Sequence, residues 1–185
     1  VISYSALQYE GRGFYGNING NQNIPNTYNI DTGYNPFTDG INYTLDNASM
    51  EVITQYNLGT NNYVGSAGGN TLSNSIRIGT AGNSSRLNAG FNLTSAVNTN
   101  GIGYIALNRI SSSNYKVVIN STILDNTGVS NSIINANQIL YSHNSINQGG
   151  LFSYYSMGAE VVTEGQLFRT AYNNYLLSIG LTPIA

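Results

Sequence analysis

The sequence lacks cysteine and has few charged residues. Six of its 185 residues are Lys or Arg and eight are Asp or Glu, so charged residues make up 8% of the chain, against about 25% in an average soluble domain. Without cysteine, the chain can form no disulfide, Cys-based zinc site or thiol nucleophile. The basic residues are too few and too far apart in the sequence to predict a nucleic-acid-binding surface. They are Arg12, Arg77, Arg86, Arg109, Lys116 and Arg169.

The sequence also lacks long apolar segments. No stretch approaches the roughly 18 apolar residues of a membrane span, and no basic segment followed by an apolar run marks a signal peptide. We therefore expect no membrane partner. The chain begins at Val1 rather than Met, as a processed product or a piece of a larger protein would, so the missing signal peptide carries no information.

Asparagine, glycine and tyrosine are abundant in place of charged residues, with 30 Asn, 21 Gly and 15 Tyr, and serine is also frequent. Their amide and hydroxyl groups give a neutral surface rich in hydrogen-bond donors and acceptors, which suits contact with glycans or with other proteins. An AT-rich genome would give a similar composition, because it favours the codons of Asn, Ile and Tyr. Composition alone leaves both explanations open.

Alternating apolar and polar residues predict a series of short β-strands after residue 44. Clusters of Gly and Asn separate them, since these residues tolerate the positive φ of tight hairpins. Many short strands without intervening helices predict an all-β antiparallel sandwich, preceded by a loop-rich segment over 1–44. The predicted strands are 49–56, 63–67, 75–79, 86–93, 102–110, 115–120, 133–141 and 151–156. The clearest alternation places Leu87, Ala89, Phe91 and Leu93 on one face, and Tyr115, Val117 and Ile119 on one face.

The period of the pattern changes near the C-terminus. Thr163 and Gln166 have the spacing of a capping box, Gly180 stands where a left-handed C-cap would fall, and Pro183 follows. The sequence therefore predicts one amphipathic α-helix over 163–180, packed on the strands of 45–162 in a single domain spanning 1–185. The residues at helical i, i+3, i+4 and i+7 spacing are Phe168, Ala171, Tyr172, Tyr175, Leu176 and Ile179.

The acidic residues do not form a catalytic pair. A retaining glycosidase needs two carboxyl groups about 5 Å apart, which in a β-sandwich places them two or four residues apart in one strand. Only Glu160 and Glu164 have this spacing, and they lie at the predicted start of the helix, where negative charge complements the helix dipole. We therefore expect no enzyme, and a polysaccharide-degrading one is the least favoured function. The other acids are Glu10, Asp31, Asp39, Asp46, Glu51 and Asp125.

The sequence indicates no cofactor. His143 is the single histidine, which excludes a His-based metal cluster, and no segment has the spacing of an EF-hand, although scattered Asp residues leave calcium open. Residues 11–16 match GxGxxG. The segment that follows them does not start a helix, so a turn is predicted there rather than a dinucleotide site.

The second half of the chain resembles a known family. The segments GIGYIALNR (101–109), SSS (111–113), YKVVIN (115–120), ILY (139–141), GG (149–150) and FSYYSMG (152–158) precede the helix that ends at Gly180. This succession is similar to that of the concanavalin A-like (laminin-G/pentraxin-like) jelly-roll domains of bacteriophage structural proteins. Asn120-Ser121 stands in place of the usual Asn-Gly, and Val161-Val162-Thr163 in place of Leu-Thr. The Glu-x-Asp-x-Glu strand of the family's glucanases and the acidic loops of its calcium-binding members have no match.

The resemblance implies a two-sheet antiparallel jelly roll with one C-terminal helix, located outside the cell at a virion surface. The implied function is non-enzymatic attachment of a phage fibre or tail-tip protein to a host surface polysaccharide. The alternative is a purely architectural domain that contacts other virion proteins and binds no sugar. Because many virion fibres are trimers, a homo-oligomer is also plausible.

In such folds, ligands bind on the concave sheet or at rim loops, so the resemblance also implies a ligand site. Asn108 and Arg109 end one predicted strand, and His143 and Asn144 follow another. Tyr63 and Tyr155 would add a flat apolar surface on which a sugar ring could stack. The alternative for Arg109 is structural, capping its strand and pairing with an acid.

Overall fold

The computed structural model describes residues 30–54, 62–66, 75–78, 83–88, 93–95, 103–140, 142–143, 146–147 and 152–184. These residues form thirteen β-strands and one α-helix. The strands are β1 (Ile30–Asp31), β2 (Ala48–Thr54), β3 (Asn62–Ser66), β4 (Ser75–Ile78), β5 (Asn83–Arg86), β6 (Leu93–Ser95), β7 (Gly103–Arg109), β8 (Asn114–Ile119), β9 (Thr122–Thr127), β10 (Ile139–Leu140), β11 (Ser142–His143), β12 (Ile146–Asn147) and β13 (Phe152–Gly158). The helix, α1, is Val162–Ser178. The prediction of a mostly β fold with one C-terminal helix is confirmed.

The central sheet is a five-stranded antiparallel sheet with the strand order β13-β2-β7-β8-β9. Its middle strand, β7, is buried along all seven residues, because other parts of the chain cover both faces of the sheet. Ile105 of β7 lies opposite Ile119 of β8, and Arg109 opposite Tyr115. A six-stranded sheet has the order β1-β10-β3-β4-β5-β6, and β11 pairs with β12.

Each face of the central sheet carries its own apolar cluster, because alternate side chains of a strand point to opposite faces. On the helix-side face, sheet residues pack with Phe168, Tyr172 and Leu176 of α1. On the opposite face, sheet residues pack with Tyr34 and Leu87 from other segments. The sheet members are Ile53, Tyr104, Ala106, Val118 and Tyr154 on the helix side, and Ala48, Met50, Val52, Ile105, Leu107, Tyr115, Val117, Ile119, Tyr155 and Met157 on the other. The predicted shared face of Tyr115, Val117 and Ile119 is confirmed.

The predicted single strand over 86–93 is wrong. β5 ends at Arg86, and Leu87 and Asn88 form a bend in which Asn88 has a φ of 53°. Asn88 Oδ1 accepts a hydrogen bond from Tyr43 Oη at 2.7 Å, and its Nδ2 donates to the Thr44 carbonyl at 3.0 Å. These local hydrogen bonds compete with strand pairing. Residues 89–92 lie outside the described part of the chain.

Two other predictions about strands need correction. In the predicted strand 133–141, residues 133–138 are irregular, Ile139–Leu140 forms a strand, and Tyr141 lies outside the described residues. β9 was not predicted at all, because its Asp125, Asn126 and Thr127 have the residue types of a turn. Of the predicted loop-rich segment 1–44, residues 1–29 lie outside the described residues, and so does the GxGxxG segment.

The ends of α1 agree only partly with the predicted caps. The predicted capping box is wrong: Val161 is the N-cap and makes no side-chain cap hydrogen bond, while Gln166 Nε2 donates to the Asn120 carbonyl at 2.9 Å. Instead, Glu160 Oε1 accepts the hydrogen bond of the Val162 amide at 2.8 Å. At the other end Gly180 has a φ of 77°, as predicted. The amides of Gly180 and Leu181 donate to the Leu177 and Leu176 carbonyls at 3.1 and 2.9 Å, the pattern of a Schellman motif.

The predicted apolar face of α1 is wider than the surface that the sheet covers. Tyr172 and Leu176 are buried and Phe168 packs against the sheet, as predicted. Ala171, Tyr175 and Ile179 were predicted on the same face but are exposed. A polar residue helps to hold the segment that follows the helix, because Asn173 exchanges two hydrogen bonds with the backbone of Ile184, at 2.9 and 3.0 Å.

Candidate functional site

The predicted ligand residues Asn108, Arg109 and Tyr155 are buried in the structure. Their exposed fractions are 0%, 0% and 1%. Asn108 and Arg109 are consecutive in β7, so their side chains point to opposite faces of the central sheet. Tyr155 belongs to the cluster on the face away from α1. The structure therefore does not bring these three side chains together on an exposed surface.

Arg109 connects the end of β7 to two neighbouring segments. Its Nη2 donates to the Leu87 carbonyl at 3.1 Å, its Nη1 donates to the Gly128 carbonyl, and its guanidinium lies 5.4 Å from the centre of the Tyr115 ring. Burial lowers the pKa of the Arg109 guanidinium, while Tyr115 and Asp46 oppose this shift. No ion pair of Arg109 is present among the described residues. These contacts agree better with the structural alternative for Arg109 than with a ligand contact. Backbone carbonyl groups, rather than the acid that this alternative predicted, accept its hydrogen bonds.

Asn108 and Tyr155 also contact neighbouring parts of the chain. Asn108 Oδ1 accepts a hydrogen bond from the Val161 amide at 2.9 Å, just before α1 begins. Tyr155 Oη lies 3.7 Å from the sulfur of Met157 in the same strand. Both contacts are internal to the fold. The Asn108 contact positions the start of α1, and the Tyr155 contact fills the core.

The other predicted ligand residues belong to a different part of the chain. Tyr63 lies in β3 of the six-stranded sheet and His143 in β11, and these two strands are adjacent. Asn144 is outside the described residues. The five described residues of the predicted site are therefore distributed over three sheets rather than collected in one site.

A groove with a volume of about 530 Å³ opens at one end of the central sheet. We call it the β7–β9 groove, because its lining comes from the ends of β8 and β9 and the residue that follows β7. The lining residues are Ile110, Asn114, Asp125, Asn126 and Thr127. Asn114 pairs with Thr127 and Lys116 with Asp125 across the two strands, so these four side chains lie on the helix-side face. Asn114, Asp125 and Thr127 are exposed.

The backbone around the groove is held by short-range hydrogen bonds. The amides of Ile110 and Ser111 donate to the Asn114 carbonyl at 3.2 and 3.3 Å, and the Asn114 amide donates to Ser111 Oγ at 3.0 Å. The amides of Gly128 and Ser130 donate to the carbonyls of Ser113 and Ser112 at 2.8 and 2.9 Å. The turn between β7 and β8 is thus fastened to the segment that follows β9, which makes the groove preformed. Loops positioned by a rigid sheet are where proteins commonly bind ligands.

The groove offers neutral hydrogen-bonding groups beside one aliphatic side chain. Asn114 and Thr127 present an amide and a hydroxyl group on the helix-side face, and Ile110 is 40% exposed. Asn126 pairs with Tyr115, so its side chain points to the other face of the sheet, and its amide donates to the Leu124 carbonyl. The single carboxylate among the lining residues, Asp125, forms an ion pair with Lys116. The groove can therefore donate and accept several hydrogen bonds at once without presenting a strong net charge.

Sequence reasoning missed this groove for a physical reason. Its residues become neighbours only through the pairing of β8 with β9, and β9 was not recognised as a strand. The two-residue connection Asn120-Ser121 was the available signal, because residues able to adopt a positive φ between two alternating segments predict a hairpin. Asn120 indeed has a φ of 54°.

Two searches of the described residues, for clusters of metal-ligating side chains and for helices that could span a membrane, found neither. No three His, Asp or Glu side chains converge among these residues, and α1 is too short and too polar to cross a bilayer. In comparisons with known proteins, no protein family model matches the chain and no curated protein is significantly similar to it.

Proposed function

We propose that this chain is a non-enzymatic recognition module that binds a glycan in the β7–β9 groove. The observation that supports the proposal is the lining of the groove, in which neutral amide and hydroxyl groups surround an exposed aliphatic side chain on a hydrogen-bonded framework. Sugars present hydroxyl groups next to apolar C–H surfaces, so they need this combination of partners. Ligand sites commonly combine a concave surface with a few fixed polar groups.

The low charge of the chain favours a neutral or weakly acidic glycan. Asp125 is already paired with Lys116, which limits the repulsion that an acidic sugar would meet. The groove also supports a non-enzymatic role. Hydrolysis of a glycosidic bond with retention requires two carboxyl groups about 5 Å apart, and Asp125 is the only acid that lines the groove.

Attachment of a virion to a host surface polysaccharide is the setting that we propose for this binding. The resemblance of residues 100–180 to the jelly-roll domains of phage structural proteins supports it. The same resemblance supports a finer proposal for the fold, in which the six-stranded sheet forms the second layer of a jelly roll. Leu87, which directly follows β5 of that sheet, packs in the apolar cluster of the central sheet, as a residue between two layers would.

A glycan array tests the proposal directly. We expect the wild-type chain to be retained by one group of related oligosaccharides. Thr127→Ala and Asn114→Ala should each weaken that binding by at least about fivefold, since each removes a hydrogen-bonding group from the site. Thr122→Ala is the matched control, because Thr122 is an exposed threonine at the other end of β9 and does not line the groove. Retention by no glycan, or equal binding by Thr127→Ala and Thr122→Ala, would contradict the proposal.

The second candidate function is a purely architectural virion domain. The observation that favours it is the exposed apolar surface of α1, where Leu167, Tyr175, Leu177 and Ile179 are each at least half exposed. Such a surface is typical of a contact with another protein. An empty glycan array together with stable incorporation into a larger protein assembly would favour this function over glycan binding.

A further inference from the structure

We propose that the exposed side of α1 is a self-association surface that pairs with α1 of a second copy of this chain. The surface consists of two neighbouring rows of side chains, each with a spacing of four residues. The outer ridge is Leu167, Ala171, Tyr175 and Ile179, and the polar ridge is Thr170, Asn174 and Ser178. The proposal is independent of the β7–β9 groove, which lies at one end of the central sheet.

The outer ridge is apolar and accessible. Leu167, Tyr175 and Ile179 are 67%, 58% and 50% exposed, and Ala171 is also exposed. In the sequence pattern Ala171, Tyr175 and Ile179 of this ridge belong to the same apolar face as Tyr172 and Leu176, which the central sheet buries. The sheet therefore covers only half of the apolar face, and the other half remains available for a partner.

Two of the three residues of the polar ridge, Thr170 and Ser178, are suited to being covered. Thr170 Oγ1 donates to the Gln166 carbonyl at 3.0 Å, and Ser178 Oγ donates to the Tyr175 carbonyl at 2.7 Å. Because these hydroxyl groups already have partners within the helix, covering them costs little desolvation. Their small side chains leave a shallow channel between the two ridges.

The shape of this surface is self-complementary. Helices commonly pack by placing a ridge with a spacing of four residues into the channel beside the corresponding ridge of the other helix, at a crossing angle of about −50°. Ala171 is the small residue near the middle of the outer ridge, so a two-fold axis there would let the helices approach closely. Leu167 of each copy would then lie against Tyr175 of the other, as an isologous contact requires.

The charge distribution favours a second copy as the occupant. Residues 170–185 contain no charged side chain, so two copies can approach without repulsion between like charges. A strongly charged partner would find no complementary group on either ridge. The surface is one side of a single 17-residue helix, whereas a standard stable interface buries roughly 800 Å² per partner, and we therefore expect a reversible dimer rather than a permanent one.

Sedimentation velocity of the full chain over a concentration range from about 1 µM to 1 mM tests the proposal. The wild type should shift from monomer to dimer. Ala171→Glu and Ala171→Lys should each weaken dimerisation by more than about tenfold, because each places like charges across the two-fold axis. Both substitutions keep good helix formers in α1, and circular dichroism should show unchanged folding. An equimolar mixture of the two variants should restore the dimer, since opposite charges then meet at the axis.

Val129→Glu is the matched control, because Val129 is an apolar residue with 60% exposure away from α1. It should dimerise like the wild type. The proposal would be overturned by a wild type that stays monomeric or by a dimer that persists in both Ala171 variants. It would also be overturned if the mixture of the two variants failed to dimerise, or if Val129→Glu dissociated the dimer. None of these outcomes depends on glycan binding. Sedimentation velocity can therefore contradict the dimer without contradicting the proposed function, and the glycan array can do the reverse.

Discussion

Gly165→Ala is expected to destabilise the protein by about 3 kcal/mol, the cost of inserting a methyl group into a filled interior. Gly165 is buried in the first turns of α1, and a Cβ at this position would overlap the hydroxyl of Tyr104. That hydroxyl donates a hydrogen bond to Glu51 Oε2 at 2.9 Å, and Ser156 Oγ donates to Glu51 Oε1 at 2.9 Å. Glu51 is only 2% exposed, so the Tyr104 ring cannot move away without disturbing a buried carboxylate.

The sign of the effect makes this prediction informative. Alanine normally stabilises a helix interior by about 1 kcal/mol relative to glycine, so propensity alone predicts a gain in stability. The free energies of unfolding of Gly165→Ala, Tyr104→Phe and the double variant, measured in urea, show how strongly positions 165 and 104 interact. In the double variant, loss of the hydroxyl makes room for the Cβ, and we expect its destabilisation to be smaller than the sum of the two single effects by about 2 kcal/mol. Thr170→Ala on the exposed side of α1 should change stability by less than about 0.5 kcal/mol. A Gly165→Ala variant as stable as the wild type would contradict the described packing of α1.

Arg109→Ala is expected to destabilise the protein by about 4 kcal/mol. The substitution leaves the buried Leu87 carbonyl and the partly buried Gly128 carbonyl without their donor, at about 1 to 3 kcal/mol for a buried group. It also removes the side chain that lies over Tyr115. Arg109→Lys should recover part of the loss, because an ammonium group keeps the charge but cannot reproduce the planar fork that reaches two carbonyls.

Lys116 allows a comparison between the fully buried Arg109 and a basic residue that is only partly buried. Lys116→Ala removes an ion pair with Asp125, whose side chain is 78% exposed, and pairs of this kind contribute about 0 to 1 kcal/mol. Unfolding curves of the two alanine variants should therefore differ by about 3 kcal/mol. If Arg109→Ala melted like the wild type while glycan binding was lost, Arg109 would be a ligand contact, as the sequence-based hypothesis has it.

Local sequence patterns predicted the strands around β7 and β8 and the end of α1, because these features depend on neighbouring residues. The alternation in 115–120 places Tyr115, Val117 and Ile119 on one face, and Gly180 adopts the positive φ that ends the helix. The break at Asn88 could not be predicted in this way. It depends on hydrogen bonds to Tyr43 and Thr44, which are distant in the sequence.

The structure does not place Asn108 and Arg109 at an exposed rim, because the end of a strand is not always at the edge of a sheet. Asn108 and Arg109 end β7 in the middle of a five-stranded sheet, so strands on both sides and packing on both faces bury them. Their alternation along β7 would have shown that Asn108 and Arg109 cannot serve one surface. The groove residues Asn114 and Thr127 have exposed side chains because they lie at the outer end of the β8–β9 pair.

Chemical-shift mapping tests glycan binding by the β7–β9 groove most directly. The ¹⁵N-labelled chain would be titrated with each oligosaccharide that the glycan array retains, and amide shifts would be followed by NMR. The proposed function predicts that the largest changes cluster at residues 110–116 and 122–130, and that Thr127→Ala, but not Thr122→Ala, needs an at least about fivefold higher oligosaccharide concentration to reach them. Changes centred instead on Tyr63 and His143, or a titration without any change, would contradict it.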